Sequence, residues 1–325
     1  MVTNLNSPKI SVVIPLYNKE KSILRAISSV LEQSEQDFEI IIVNDGSTDQ
    51  SSSIVENLVD NKKVRLINQK NAGVSAARNR GVEEARSDLI AFLDGDDEWL
   101  LEYLRTIMEL RSQFPMGSIF CTLYFDIQPD GRIILPDVLP YIPIDYRGYL
   151  ENYLDIIHWV LPFNTSSFVV TKQALQAIGG FPVGIKYGED VYTFIRLSLD
   201  YKFVFINKPL AFYHRDAENR STSFGDNPLQ EYYPARKLVE LIRNNEIPSQ
   251  LRQSTIEYIA KYRLSLAKSF LHYGNPAKAR ELIESCRGTR IYRIRWLYLR
   301  MCTFISPKIY RSLIEVKTRM ARNSE

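Results

Sequence analysis

Four short apolar runs, each followed by a helical pattern, constrain this chain more than any other feature. They are residues 10–15 (ISVVIP), 38–43 (FEIIIV), 64–67 (VRLI) and 89–93 (LIAFL). Runs this short and mostly apolar read as strands, the first and the last as buried ones. The first stops at Pro15, which has no N–H to give a ladder. After it, Ile23, Ile27, Val30 and Leu31 share one helical face. After the second run Ile54, Val55 and Leu58 do the same, with Ser47 or Thr48 as the expected cap. Strands alternating with helices at this spacing predict βαβ units, right-handed crossovers and a mostly parallel sheet.

In such a sheet the loops past the strand C-termini form the ligand edge. Three loops fall there: residues 17–20, 45–49 and 94–97. The last is the most acidic, with Asp94, Asp96 and Asp97 packed around Gly95. Carboxylates so close raise one another's pKa unless a cation neutralises them. Hard divalent cations such as Mg²⁺ or Mn²⁺ take oxygen ligands and share them with substrate phosphates. The competing reading is an acidic loop that caps the next helix through Asp96 or Asp97. No G-x-G-x-x-G follows the first strand and no G-x-x-x-x-G-K-[ST] occurs anywhere, so no glycine loop cradles a phosphate. That absence favours the metal.

The segments SVVIPLYNKE, IIVNDGSTD, NAGVSAARNRG and FLDGDDEW, in this order and spacing, resemble the GT-A-fold glycosyltransferases of family 2. The resemblance covers roughly residues 9 to 220. It implies an α/β, Rossmann-like GT-A domain with a mixed, mostly parallel sheet flanked by helices. It also implies an inverting transferase that uses a nucleotide-sugar and Mn²⁺ or Mg²⁺. Carried over by position, Pro15 and Tyr17 lie along the base and Glu20 closes that wall. Asp45 accepts from a base N–H, which favours a UDP- or dTDP-type donor. Arg78 positions ribose or diphosphate, Asp94 and Gly95 face the donor, and Asp96 ligates the metal with Asp94. Asn44 stands where many relatives carry a second Asp. The resemblance also makes Asp190 the base that deprotonates an acceptor hydroxyl, with Glu189 as its partner. His214 falls where relatives contact metal or diphosphate, and Arg215 and Arg220 could clamp phosphate oxygens. The implied chemistry is direct displacement, so an α-linked donor gives a β-linked product. A different class, a catalytically idle relative serving as a binding or scaffold subunit, is disfavoured by the intact acids.

Between these motifs, Pro129-Asp130-Gly131 signals an antiparallel hairpin. Residues 146–159 read as an aromatic helix that either lines an acceptor groove or simply packs. Thr171 opens a short helix that ends at Gly179-Gly180, and Glu189 starts another with Val191, Phe194 and Ile195 on its apolar face.

At 325 residues the chain exceeds one core. A catalytic domain over 1–225 and a helical region over 226–325 are expected. Cys121, Cys286 and Cys302 are far apart and odd in number, which suggests neither a disulfide framework nor a zinc site, hence a reducing compartment. With no signal segment and no apolar run near the roughly 18 residues of a membrane span, a cytoplasmic location is expected. A net charge of +3 does not argue for nucleic acid. Residues 287–322 hold ten Lys or Arg and one acid, Glu315, interleaved with Tyr292, Trp296, Leu297, Tyr298 and Phe304. That pattern suits an amphipathic helix on the inner face of the cell membrane, a packing helix with a solvated basic face, or a homodimer contact. The partners expected are therefore a nucleotide-sugar donor and a saccharide or lipid-linked acceptor, as in surface-polysaccharide assembly.

Overall fold

A computed structural model describes residues 7–216, 229–306 and 309–310. They divide into two compact units, residues 1–221 and 222–325. The elements of the first, in chain order, are β1 (Ile10–Leu16), α1 (Ile23–Leu31), β2 (Phe38–Asn44), α2 (Ser51–Glu56), β3 (Val64–Asn68), α3 (Val74–Glu84), β4 (Leu89–Phe92), β5 (Glu98–Trp99), α4 (Tyr103–Gln113), β6 (Ile119–Ile127), β7 (Ile133–Ile134), β8 (Arg147–Leu150), α5 (Tyr153–Ile156), β9 (Phe168–Thr171), α6 (Lys172–Ala177), α7 (Glu189–Asp200) and β10 (Phe203–His214).

One sheet carries them in the order β3-β2-β1-β4-β9-β6-β10-β5, with β7 on β6 and β8 on β10. The half from β3 to β4 is parallel. β9 then runs antiparallel to both β4 and β6, while β6 and β10 are parallel again. Every residue of β1 and β2 is buried, the polar Ser11 and Glu39 included, whose side chains hydrogen-bond each other (2.7 Å). α1 packs on the sheet through Ile23, Ala26, Ile27 and Val30, positions i, i+3, i+4 and i+7. α3 lies much closer. A Cβ on Gly81 would sit 2.2 Å from Val13 Cγ1, so only glycine lets this helix approach β1 so nearly.

Three local expectations need correction. Ser47 and Thr48 do not cap α2. The Ser47 hydroxyl accepts from Asn18 N (3.2 Å) and Asn18 Oδ1 accepts from Thr48 N (2.8 Å), so both brace the first loop. Asp49 and Glu20 instead accept the N–H groups of Ser51 and Gln50 at the helix start. Residues 146–159 are not one helix: residues 147–150 pair antiparallel with residues 203–206 of β10, and only α5 is helical. Pairing to an available strand outweighed local helical spacing, and Asn152, at φ 55°, breaks the chain between the two. Finally, no helix opens at Asp96 or Asp97. Asp97 N donates to Asp94 O (3.0 Å) in a tight turn, and the chain goes on into β5. The expected hairpin at Pro129-Asp130-Gly131 is present between β6 and β7. Thr171 caps α6, accepting from Ala174 N (3.4 Å).

The second unit contains α8 (Tyr233–Arg243), α9 (Arg252–His272), α10 (Pro276–Glu284) and α11 (Arg293–Cys302). Its core joins Leu264, Ala267 and Leu271 of α9 to Leu282 and Ile283 of α10 and Trp296 and Leu299 of α11. The Trp296 indole donates to Ile283 O (2.7 Å). The buried Glu257 accepts from the backbone N–H groups of Arg290 and Ile291, which fixes the entry to α11.

Candidate active site

The turn 94–97 leaves β4 in the middle of the sheet and delivers β5 to the far edge, beside β10. It therefore crosses the ends of the intervening strands, and residues from several elements meet it. Ser166, just ahead of β9, accepts from Asp94 N (3.1 Å) and donates to Asp97. Asp97 also accepts from His214 N at the end of β10 (3.0 Å). Asp97 is only 1% exposed. Burial first, then the charges of Asp96 and Asp94, push its carboxyl well above the ordinary range. Asp97 is thus the keystone of the turn.

The other two acids are met by cations of the chain itself. Lys19 Nζ lies 2.7 Å from Asp96 Oδ2, and Arg25 donates to Asp96 O (2.6 Å). Arg78, 3% exposed, donates to Asp94 Oδ1 at 2.7 Å and to Glu189 Oε1 at 3.2 Å. Its guanidinium also sits over the Phe181 ring, 5.3 Å from the centroid. One arginine in α3 therefore ties the acidic turn to the first residue of α7. The motif around it explains itself locally. Asn79 exchanges two hydrogen bonds with the backbone of Phe181 (2.8 Å each), and Gly81 permits the close approach to β1.

Glu189 and Asp190 open α7 behind Gly188. Burial, then the neighbouring Asp190 charge, pushes the Glu189 carboxyl up to about 7, although Arg78 pulls it down. Asp190 is raised mainly by burial, while the Arg78 charge and the hydrogen bond from Val191 N (2.6 Å) hold it down. A carboxylate raised toward neutrality is better matched to taking a proton near pH 7 than an ordinary one.

Just past β2, Asp45 is buried and accepts from Gln69 Nε2 (2.7 Å), Ala72 N (2.9 Å) and Gly73 N (2.8 Å). It thereby holds the loop that leads into α3. A carboxylate has about four acceptor positions, so capacity for one further donor remains. Pro15 is buried at the end of β1, whereas Tyr17 is 43% exposed. Gly95 is buried, its carbonyl accepting from the Ser22 hydroxyl (2.9 Å).

The expected ligand set is not gathered. His214 Nε2 lies 2.9 Å from Glu98 Oε1, and Nδ1 lies 3.5 Å from Asp216 Oδ1, so both ring nitrogens face carboxylates other than Asp94 and Asp96. Among the described residues no group of three or more His, Cys, Asp or Glu is placed to hold a metal. Asp94 and Asp96 alone still suit Mg²⁺ or Mn²⁺, which commonly take one or two carboxylates and complete their shell with water and phosphate. Asp96 would exchange Lys19 for the ion. Arg215 is no open phosphate clamp either: its guanidinium engages Asp126 in two parallel bonds of 2.6 and 2.7 Å. Arg220 lies outside the described residues. Sequence reasoning missed Lys19, Arg25 and Ser166. Lys19 had a signal, since clustered acids need a counter-charge. Ser166 had none, because only the β4–β9 pairing brings it to the turn.

A mixed sheet with acids at the C-terminal end of a central parallel strand, facing two more at a helix start, defines the GT-A class of fold. The Glycosyl transferase family 2 profile matches residues 11–178, and the chain belongs to that family. An uncharacterized glycosyltransferase of Rickettsia bellii is 30% identical over 195 residues, covering 60% of this chain and 27% of its own length. The chain thus spans about a quarter of that relative. S. aureus TarS 1–349, solved in complex with UDP-GlcNAc, superposes with a TM-score of 0.74 at 19% identity, covering 96% of this chain and 92% of that one. The mannosyltransferase PcManGT from Pyrobaculum calidifontis, in complex with GDP-Man and Mn²⁺, gives 0.56 at 15% identity over 95% and 84%.

Proposed function

We propose that this chain is an inverting, metal-dependent glycosyltransferase that moves a sugar from a UDP- or dTDP-type nucleotide-sugar to an acceptor hydroxyl. The observation that carries this reading is the Arg78 bridge, which sets the acids at the end of β4 opposite the acids at the start of α7. Tyr17 offers an aromatic face to the base, and Asp45 has acceptor capacity for the N3–H of uracil or thymine. Asp94, Gly95 and Asp96 line the diphosphate and sugar. Mg²⁺ or Mn²⁺ held by Asp96 and Asp94 would supply charge neutralisation for the leaving diphosphate.

Asp190 takes the proton of the acceptor hydroxyl. The hydroxyl oxygen bonds to the anomeric carbon as the bond to the diphosphate breaks, inverting that centre. Glu189, held by Arg78, keeps Asp190 oriented and hydrogen-bonds the acceptor. The acceptor is a saccharide or a lipid-linked saccharide of surface-polysaccharide assembly, reached from the cytoplasmic side of the membrane. The Rickettsia relative, a glycosyltransferase by name, supports transferase chemistry, and TarS, solved with UDP-GlcNAc, supports a nucleotide-sugar donor. PcManGT with its Mn²⁺ supports the cation.

Thermal shift against a panel of nucleotide-sugars, with and without Mn²⁺, tests the donor. UDP- or dTDP-sugars should raise the melting temperature of the sheet unit only with Mn²⁺ present, and Asp96→Ala should abolish the rise. A rise that ignores both the metal and the substitution would refute the assignment.

A further inference from the structure

α11 carries a surface that the transfer chemistry does not use. Trp296, Leu299 and Cys302 face the core of the helical unit, Trp296 being 2% exposed. On the other side Ile294, Leu297, Tyr298 and Met301 stand at positions i, i+3, i+4 and i+7, and all four are exposed, Ile294 at 84% and Met301 at 71%. Ile291 before the helix and Phe304 after it are exposed too and extend the stripe. An apolar stripe of six side chains outside the core is expensive to leave in water unless something covers it.

The flanks say what covers it. Arg290, Arg293 and Arg300 are exposed beside the stripe, and Arg287 and Arg295 lie on the same segment. No acid occurs between Glu284 and Glu315. Arg293 and Arg300 lie over the Trp296 ring, 5.0 and 5.1 Å from its centroid, so their stems line one edge of the helix. Among the described residues, Arg300 alone of these meets a carboxylate, Glu284 at 3.0 Å. A two-fold contact between copies would set this cationic segment against itself, with no acid on it to answer the arginines. An anionic lipid surface answers them and takes up the apolar side chains together.

We propose that the exposed face of α11 docks on an anionic membrane, with Ile294, Leu297, Met301 and Phe304 entering the interface and the arginines resting on the headgroups. Glu257 makes the docking face rigid by holding the backbone of residues 290 and 291 to α9. The surface is independent of the donor chemistry, and vesicle binding is read with no nucleotide present.

The test is sedimentation of the full chain with vesicles of phosphatidylcholine alone, or with about one-third phosphatidylglycerol. The expected result is at least roughly tenfold stronger partitioning onto the anionic vesicles, weakened by salt. Leu297→Asp with Met301→Asp should remove it at an unchanged melting temperature, since both side chains are exposed. Arg290→Gln with Arg293→Gln should weaken it several-fold. Equal affinity for both vesicle types, or retention by the double aspartate variant, would overturn the proposal. So would a concentration-dependent dimer that the same substitutions abolish in a chain that ignores vesicles.

Discussion

Arg78→Met removes the bridge while keeping most of the side-chain volume. Its guanidinium is buried and bonded to Asp94 and Glu189, so the substitution strands a buried carboxylate. Breaking a buried pair this way typically costs about 3–5 kcal/mol. The cost depends on pH through Glu189. Its carboxyl titrates at about 7 in the fold against an ordinary 4.5, so the folded state binds the proton more tightly than the unfolded chain does. Stability from this group is full below pH 4.5 and falls as pH rises through the folded value. Arg78 limits that fall because its charge pulls the carboxyl down. Without it the folded value climbs and the loss deepens. The destabilisation by Arg78→Met should therefore approach the full about 3–5 kcal/mol at alkaline pH and shrink to about 1–2 kcal/mol, the worth of the lost hydrogen bonds, in mild acid. Hydrogen exchange on peptides spanning α3 and α7, comparing variant with wild type at each pH, reads this unit separately from the helical one. A cost below about 1 kcal/mol, or one that does not change with pH, would refute the bridge as drawn.

Gly81→Ala forces a Cβ into Val13, and overpacking of this kind costs about 1–3 kcal/mol, to be read as a lower melting temperature. Asp97→Asn keeps acceptor and donor positions for His214 N and Ser166 but cannot ionise. Wild type should lose stability as pH rises through the raised Asp97 pKa, and melting curves of the variant should fall less steeply across that range. Lys19→Gln frees Asp96 from its 2.7 Å partner, so Mn²⁺ titrated into the nucleotide-free protein should bind more tightly than to wild type.

The parallel half of the fold was legible because β1, β2 and β4 are buried on both faces, which leaves a mostly apolar signature, interrupted inside the strands by Ser11 and Glu39. α1 and α7 were legible from spacing, and Thr171 from its cap. Residues 147–150 were not, because their strand state exists only once β10 offers an edge. The acids 94, 96, 189 and 190 were readable as types in motifs. Their link was not: Arg78 reaches across 111 positions to Glu189, and the jump of the turn from β4 to β5 is a property of topology. For the same reason Asp97 looked like one acid among three, although its burial between Ser166 and His214 N gives it a structural duty. His214 was drawn to Glu98, a neighbour that counting along the chain does not reveal.

The most direct test is Asp190→Asn, measured for donor binding and for release of nucleoside diphosphate in the presence of Mn²⁺ and an acceptor saccharide. Donor affinity should stay close to wild type while turnover falls by about 10²–10⁴, the usual worth of a general base. Full turnover in Asp190→Asn would mean that the acceptor's proton leaves by another route and that α7 does not carry the base.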